Sequence, residues 1–269
     1  MNTTENDRLD RLGDEGARLL TGMRPTCQGC ADGLAPPFAF SMAFQPIVDL
    51  EKQRVKGYEA LVRGPAGEAA GSVFRQVGPE TLYAFDQSCR LKAIALAAQL
   101  RLAERDASLS INFKPGAMYD PEACVRPTLA AARRHGFPQD KIVFELTEDE
   151  PIDDFDHLKS IFRVYRSHQF RTAVDDFGAG YAGLSLLAEY QPDIVKLDLG
   201  LIRGIDTHAA RGIVVGSVAE MCAKLGVEVI AEGVETRAEL DALRSLGLRF
   251  FQGYLFAGPE FERLPDVQF

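Results

Sequence analysis

Only the short stretch LEKQR, whose Leu50 already ends the first run, separates the first two of eight β-rich runs in this chain, and no other spacing constrains its fold as tightly. A parallel crossover takes a dozen or more residues. The runs FSMAFQPIVDL (40–50) and VKGYEALVRG (55–64) must therefore pair as an antiparallel hairpin. The remaining runs are SLSINFKP (108–115), IVFELTE (142–148), RTAVDD (171–176), IVKLDL (194–199), VEVIAEGV (227–234) and FFQGYLF (250–256). Segments of Ala, Leu, Arg and Glu at helical spacing lie between most of them, over 85–104, 122–135, 155–168, 207–225 and 236–246. Strands alternating with helices predict a parallel α/β architecture of the TIM-barrel type, with the opening hairpin as its exception.

The chain's 269 residues are within the range of one such barrel, and 46% hydrophobic with 26% charged residues suits a soluble domain with a sizeable core. A net charge of -9 argues against a nucleic-acid-binding surface and requires a local cation for any anionic ligand. No apolar run approaches the roughly 18–20 residues of a membrane span, and no signal peptide precedes the chain, so a cytoplasmic protein without a membrane partner is expected. The folded domain is expected over 38–269. Before it come a polar segment, 1–24, with leucines at roughly helical spacing, and a linker, 25–37, which together offer a docking segment for a protein partner. Cys89, Cys124 and Cys222 fall in helix-like segments and read as small core residues. Cys27 and Cys30 form an isolated C-x-x-C without the second pair a zinc site needs, so reduced thiols in a linker are expected.

Polar residues recur at the strand ends. Glu59 and Arg63 belong to strand two, Asn112 to strand three, Glu145 and Glu148 to strand four, and Asp175 and Asp176 to strand five. Lys196 and Asp198 belong to strand six and Glu232 and Glu235 to strand seven, while Gln252 is expected to open strand eight. Singly, each has a plain explanation: a strand-end glutamate is ordinarily solvated, Asn112 can cap a backbone group, and Lys196 can pair with Asp198. Recurrence on successive strands changes the reading, because the carboxyl ends of barrel strands converge on one face. Several converging carboxylates are costly without compensating cations, and one lysine is too few. Oxygen donors without histidine or cysteine suit magnesium, manganese or calcium. The adjacent Asp175 and Asp176 suit a pair of ions, a recurrent device for phosphoryl hydrolysis.

The series EALVR (59–63), ELTE (145–148), DDFGAGY (175–181), KLD (196–198), AEGVET (231–236) and QGY (252–254) resembles the motifs of EAL-domain cyclic di-GMP phosphodiesterases, from about Phe44 to about Pro259. The resemblance implies a modified TIM (β/α)8 barrel with an antiparallel first strand, and hydrolysis of cyclic di-GMP to linear pGpG. It implies that Glu59, Asn112, Glu145 and Asp175 hold one divalent ion, Mg2+ or Mn2+, and that Asp175, Asp176 and Glu232 hold another. Lys196 then positions or deprotonates the attacking water, with Gln252 close by. Leu61, Arg63 and Gln45 are placed at the substrate, Glu148 and Glu235 in support of the loop after strand five, and that loop beside a homodimer interface. Calcium is expected to occupy the site but inhibit, because its looser geometry positions water poorly.

Two stretches depart from the family pattern. Phe113 and Lys114 follow Asn112 where leucine and serine are usual, a form similar to EAL domains attached to blue-light-sensing flavin domains. Ala179, Ala182 and Gly183 replace the usual threonine and serines of the strand-five loop. Neither removes a metal ligand. The alternatives are a weak or inactive module that binds cyclic di-GMP or a protein, and a Schiff-base aldolase built on Lys196. The second conflicts with the carboxylates, since such a lysine needs a lowered pKa.

Overall fold

The structure, a computed structural model, describes residues 36–147, 154–180 and 183–269. The 1–24 segment, Cys27, Cys30, Glu148, Tyr181 and Ala182 lie outside the described residues. The short connection at 50–54 makes the hairpin its length demands. β1 (Ser41–Asp49) and β2 (Arg54–Arg63) pair antiparallel, from Ser41 opposite Arg63 to Asp49 opposite Arg54, with a register shift at Ile47/Val48.

From β2 the ladder runs parallel through β3 (Ser108–Asn112), β4 (Ile142–Thr147), β5 (Arg171–Phe177), β6 (Ile194–Leu197), β7 (Glu228–Ala231) and β8 (Phe250–Gln252). β8 then pairs with the reversed β1, whose hairpin partner β2 closes the barrel. A two-residue strand, β9 (Glu260–Phe261), adds to β1 at Ala43 and Phe44; so short a run leaves no period to read in the sequence.

The outer layer contains α1 (Ala70–Phe74), α2 (Pro79–Gln99), α3 (Pro121–His135), α4 (Phe155–Ser167), α5 (Gly183–Glu189), α6 (Leu199–Ile202), α7 (Ala209–Leu225) and α8 (Arg237–Ser245). Most sequence boundaries hold within two residues. The segment expected over 85–104 is shifted, and β3, β7 and β8 end three or four residues before the runs that predicted them. α2 starts at Pro79, where proline suits the first helical position and Thr81 Oγ1 accepts from Gly78 N at 2.9 Å. It ends early because Arg101 takes a left-handed backbone, and Leu102–Arg105 forms a 3-10 turn instead. Cys89, Cys124 and Cys222 are buried, as core residues should be.

The barrel interior is built in layers by the two-residue period of strands. Ile47, Val143, Ala173, Ile194 and Ile230 form a buried cluster of their own, with Phe250 packed against it. Two residues from each, on the same face, stand Gln45, Glu145, Asp175, Lys196, Glu232 and Gln252. The apolar layer is thus the floor of a polar one. Gln252 ends β8 rather than opening it, because the chain must turn at Gly253 to pass Val234. A Cβ on Gly253 would lie 2.1 Å from the Val234 carbonyl oxygen. Gly253→Ala is expected to cost about 1–3 kcal/mol through this overlap, measured as a lowered midpoint in urea unfolding; an unchanged midpoint would show that the contact yields freely.

Candidate active site

At the mouth of the barrel, Lys196 is fully buried and its Nζ meets four carboxylates from four strands or their ends. Glu232 Oε1 lies at 2.7 Å, Glu145 Oε2 at 2.9 Å, Glu59 Oε2 at 3.1 Å and Asp175 Oδ1 at 3.2 Å. Amides complete the ring on the side of β1 to β3. Asn112 Nδ2 donates to Glu59 Oε1 at 2.8 Å, Gln252 Nε2 to Glu59 Oε2 at 2.8 Å, and Gln252 Nε2 also to Gln45 Oε1 at 3.2 Å. Glu59 sits inside β2 rather than at its end, since that strand runs on to Arg63 within the hairpin.

A regular strand would send Asp175 and Asp176 to opposite faces. β5 avoids this with a bulge: its pairing to β6 passes from Val174 opposite Val195 to Phe177 opposite Leu197, three steps against two. Asp176 takes the left-handed backbone at φ 53°. Both carboxylates therefore reach the same centre. Ligand oxygens of Glu59, Glu145 and Asp175 lie within 4.8 Å of one another, and so do those of Asp175, Asp176 and Glu232. Asp175 belongs to both sets.

The donor set is oxygen throughout, which fits magnesium, manganese or calcium. Among the described residues, Glu145 Oε1 and Gln252 Oε1 are buried without a hydrogen-bond partner, as an acceptor awaiting a cation would be. Burial pushes the Glu145 carboxyl up to about 8, against the pull of Lys196 and with the help of Glu59 and Asp175. Burial and Asp175 raise Glu232 well above the carboxylate range, with Lys196 opposing. For Lys196, burial lowers the pKa but Asp175, Glu145, Glu232 and Glu59 outweigh it, so the ammonium is held well above its usual value. That is opposite to what a Schiff-base lysine needs and removes the aldolase alternative.

Beside the carboxylates opens a cavity of about 450 Å³, lined by Leu61, Arg63, Asn112, Phe74, Phe85 and Asp86 among others. Arg63 and Leu61 are therefore at the site, with Arg63 Nη1 donating to the Val62 carbonyl at 2.7 Å. Asp198 is not the partner of Lys196; it caps α6 by accepting from Gly200 N. Glu235 stands apart from the ring, before α8, where its carboxylate pairs with Arg203 at 2.5 Å. Sequence reasoning missed Asp86 on the cavity wall, since FDQSC reads only as part of an apolar helix.

The EAL domain profile matches residues 38–259. The chain belongs to the EAL domain family. This EAL domain is 49% identical to the standalone versatile EAL protein from Vibrio cholerae O395 in its c-di-GMP-bound form, covering 86% of this chain and 97% of that one with a TM-score of 0.83. Klebsiella pneumoniae BlrP1, in a manganese/cy-diGMP complex at pH 9.0, is 39% identical with a TM-score of 0.79, over 84% of this chain and 57% of BlrP1. The blue light- and temperature-regulated antirepressor BluF of Escherichia coli (strain K12) is 30% identical over 249 residues, 93% of this chain but 61% of BluF. The cyclic di-GMP phosphodiesterase PdeL of Escherichia coli (strain K12) is 35% identical over 119 residues, 44% of this chain and 33% of PdeL. The chain thus spans less than two thirds of these curated relatives.

Carboxyls that hold protons while the ring is metal-free must lose them to bind a cation. Mn2+ binding is expected to release protons at pH 7 and fewer at pH 9, with affinity falling as Glu145 protonates below about 8. Calorimetry in buffers of different ionisation enthalpy reads this directly; proton uptake, or none at pH 7, would contradict the protonation assigned.

Proposed function

We propose that this domain is a cytoplasmic metal-dependent phosphodiesterase that hydrolyses cyclic di-GMP to linear pGpG. The observation that carries the reading is the sharing of Asp175 between two carboxylate sets around one buried lysine. Five carboxylates there face one ammonium among the described residues, an imbalance that two divalent cations would offset. The names of the relatives supply the substrate class.

In this reading Glu59, Asn112, Glu145 and Asp175 would hold one Mg2+ or Mn2+, and Asp175, Asp176 and Glu232 the other. When bound, such ions supply a water of lowered pKa and neutralise charge on the attacked phosphate. Lys196, which holds Glu59 from one side, would orient that water, and Gln252 fixes Glu59 from the other side. Arg63 offers a cation for the second phosphate at the cavity rim, while Leu61 gives a base an apolar wall. Gln45 holds Gln252 and is itself tied to the Ala257 carbonyl at 3.3 Å, which keeps the β1 side of the site fixed. Glu148 and Glu235 keep the supporting role the resemblance gives them.

Purified protein with cyclic di-GMP and Mn2+ or Mg2+ is expected to yield pGpG by nucleotide chromatography. The product should vanish with a chelator, with Ca2+ alone and in Glu59→Ala. Lys196→Met should lower kcat by about 10²–10⁴-fold, the range for a positioned proton-transfer group. An unchanged dinucleotide under both metals would overturn the reading.

The homodimer belongs to the same proposal. The α7 sequence AARGIVVGSVAEMCAKL is apolar nearly all round, yet Ile213 is 71% and Val214 46% exposed. Leu184 on the neighbouring α5, next after the strand-five loop, is 65% exposed, and a groove runs between the two helices along Leu187, Met221 and Leu225. A surface helix of this kind ordinarily covers its apolar face. Ile213→Glu with Val214→Glu is expected to convert dimer to monomer in light scattering; a wild type that is monomeric throughout the micromolar range would remove the interface.

A further inference from the structure

Outside the carboxylate ring, the largest fully buried side chain among the described residues is Arg90, on α2. One helical turn earlier, Asp86 is 3% exposed, and its Oδ2 meets Arg90 Nη2 at 2.6 Å. A buried ion pair is weak evidence for stability, since an apolar pair of similar volume often serves as well. What distinguishes this pair is where its contacts go. Arg90 Nη1 donates to Tyr165 Oη at 2.9 Å and Nη2 to Met118 Sδ at 3.3 Å. Its guanidinium carbon lies 5.2 Å from the Phe144 ring centre and 5.7 Å from that of Phe113. Asp86 Oδ1 accepts from the backbone of Lys114 at 2.9 Å.

Phe113 and Phe144 directly follow Asn112 and precede Glu145. Alternation along the strands turns Asn112 and Glu145 inward and the two rings outward, into the helix layer. Asn112 pairs with Glu145 across β3 and β4, and Phe113 N donates to the Glu145 carbonyl at 3.0 Å. The ion pair thus grips, from outside, the two strands that carry a pair of site residues at the same height. It also accounts for the phenylalanine after Asn112: that ring faces the buried guanidinium, where leucine would offer no π face.

We propose that Asp86 and Arg90 are positioning residues, which hold Asn112 and Glu145 in the geometry that completes the first cation set. They act through the backbone and rings of β3 and β4, not by touching the substrate's reacting phosphate. The inference rests on the metal reading of the carboxylate ring.

The test is Mn2+ titration of the full chain by calorimetry, beside thermal unfolding, for the wild type, Asp86→Asn/Arg90→Met and Arg90→Lys. The double variant removes both charges while keeping an acceptor for Lys114. Arg90→Lys keeps the charge but loses the planar fork, and as the milder change it carries the test where the double variant fails to fold. Either variant should bind Mn2+ about tenfold more weakly, the lower range for loss of a ligand-orienting partner, with Glu232→Ala losing the other set independently. In Arg90→Lys, which leaves the cavity wall unchanged, saturating Mn2+ should restore kcat, which a general loss of fold would not allow. Wild-type Mn2+ affinity in a folded variant would overturn the positioning role while leaving the phosphodiesterase reading intact. A folded wild type that binds no Mn2+ would instead overturn the reading beneath both.

Discussion

Everything at the barrel mouth is arranged around one buried ammonium. Lys196 has no contact with solvent and four carboxylates within 3.2 Å, so removing any of them changes the balance for the rest. A lysine suits this place better than an arginine: its compact charge can answer several carboxylates at once, whereas a planar guanidinium is shaped for one. The ring nevertheless holds more negative than positive charge, and burial answers by raising the pKa values of Glu145 and Glu232. Protons and the lysine together keep the ring neutral enough to stay folded.

The fold supplies this arrangement through register. Each apolar residue of the inner layer has a polar one two positions along, so the strands that make the floor also make the site. β1 joins the scheme in reverse: Gln45 precedes Ile47 in the chain, yet the antiparallel pairing brings it opposite Glu59 and two residues from Ile47, the partner of Gln252. The hairpin that closes the barrel is therefore also what brings a glutamine into the ring. Outside, α2 repeats the device with a buried ion pair at the same height.

The fold was legible because its signals are local. The short connection forces a hairpin whatever surrounds it, and the periods of two and 3.6 place β1 to β8 and most of the long helices. The residues of the ring were legible because most sit at or near a strand end with an unusual side chain, although Glu59 lies inside its strand. What the sequence hid depends on contacts between distant segments. β9 is two residues long, α2 ends where a single residue turns left-handed, and Gln252 closes its strand because Val234 crowds Gly253. The Asp86–Arg90 pair stayed hidden because its helix reads as apolar and the i,i+4 charges as its solvated face. Only the tertiary packing shows that this face is buried.

The bulge in β5 places an unusual demand on inheritance. Between Val174 and Phe177 the barrel counts three steps where its neighbour counts two, and the surplus residue brings Asp176 to the same side as Asp175. A one-residue deletion there would restore an even ladder while turning one acidic group away from its partners. In most loops the number of residues drifts freely and their kinds are what selection guards. Here length is guarded together with kind, because the two aspartates face one centre only while the surplus residue is kept.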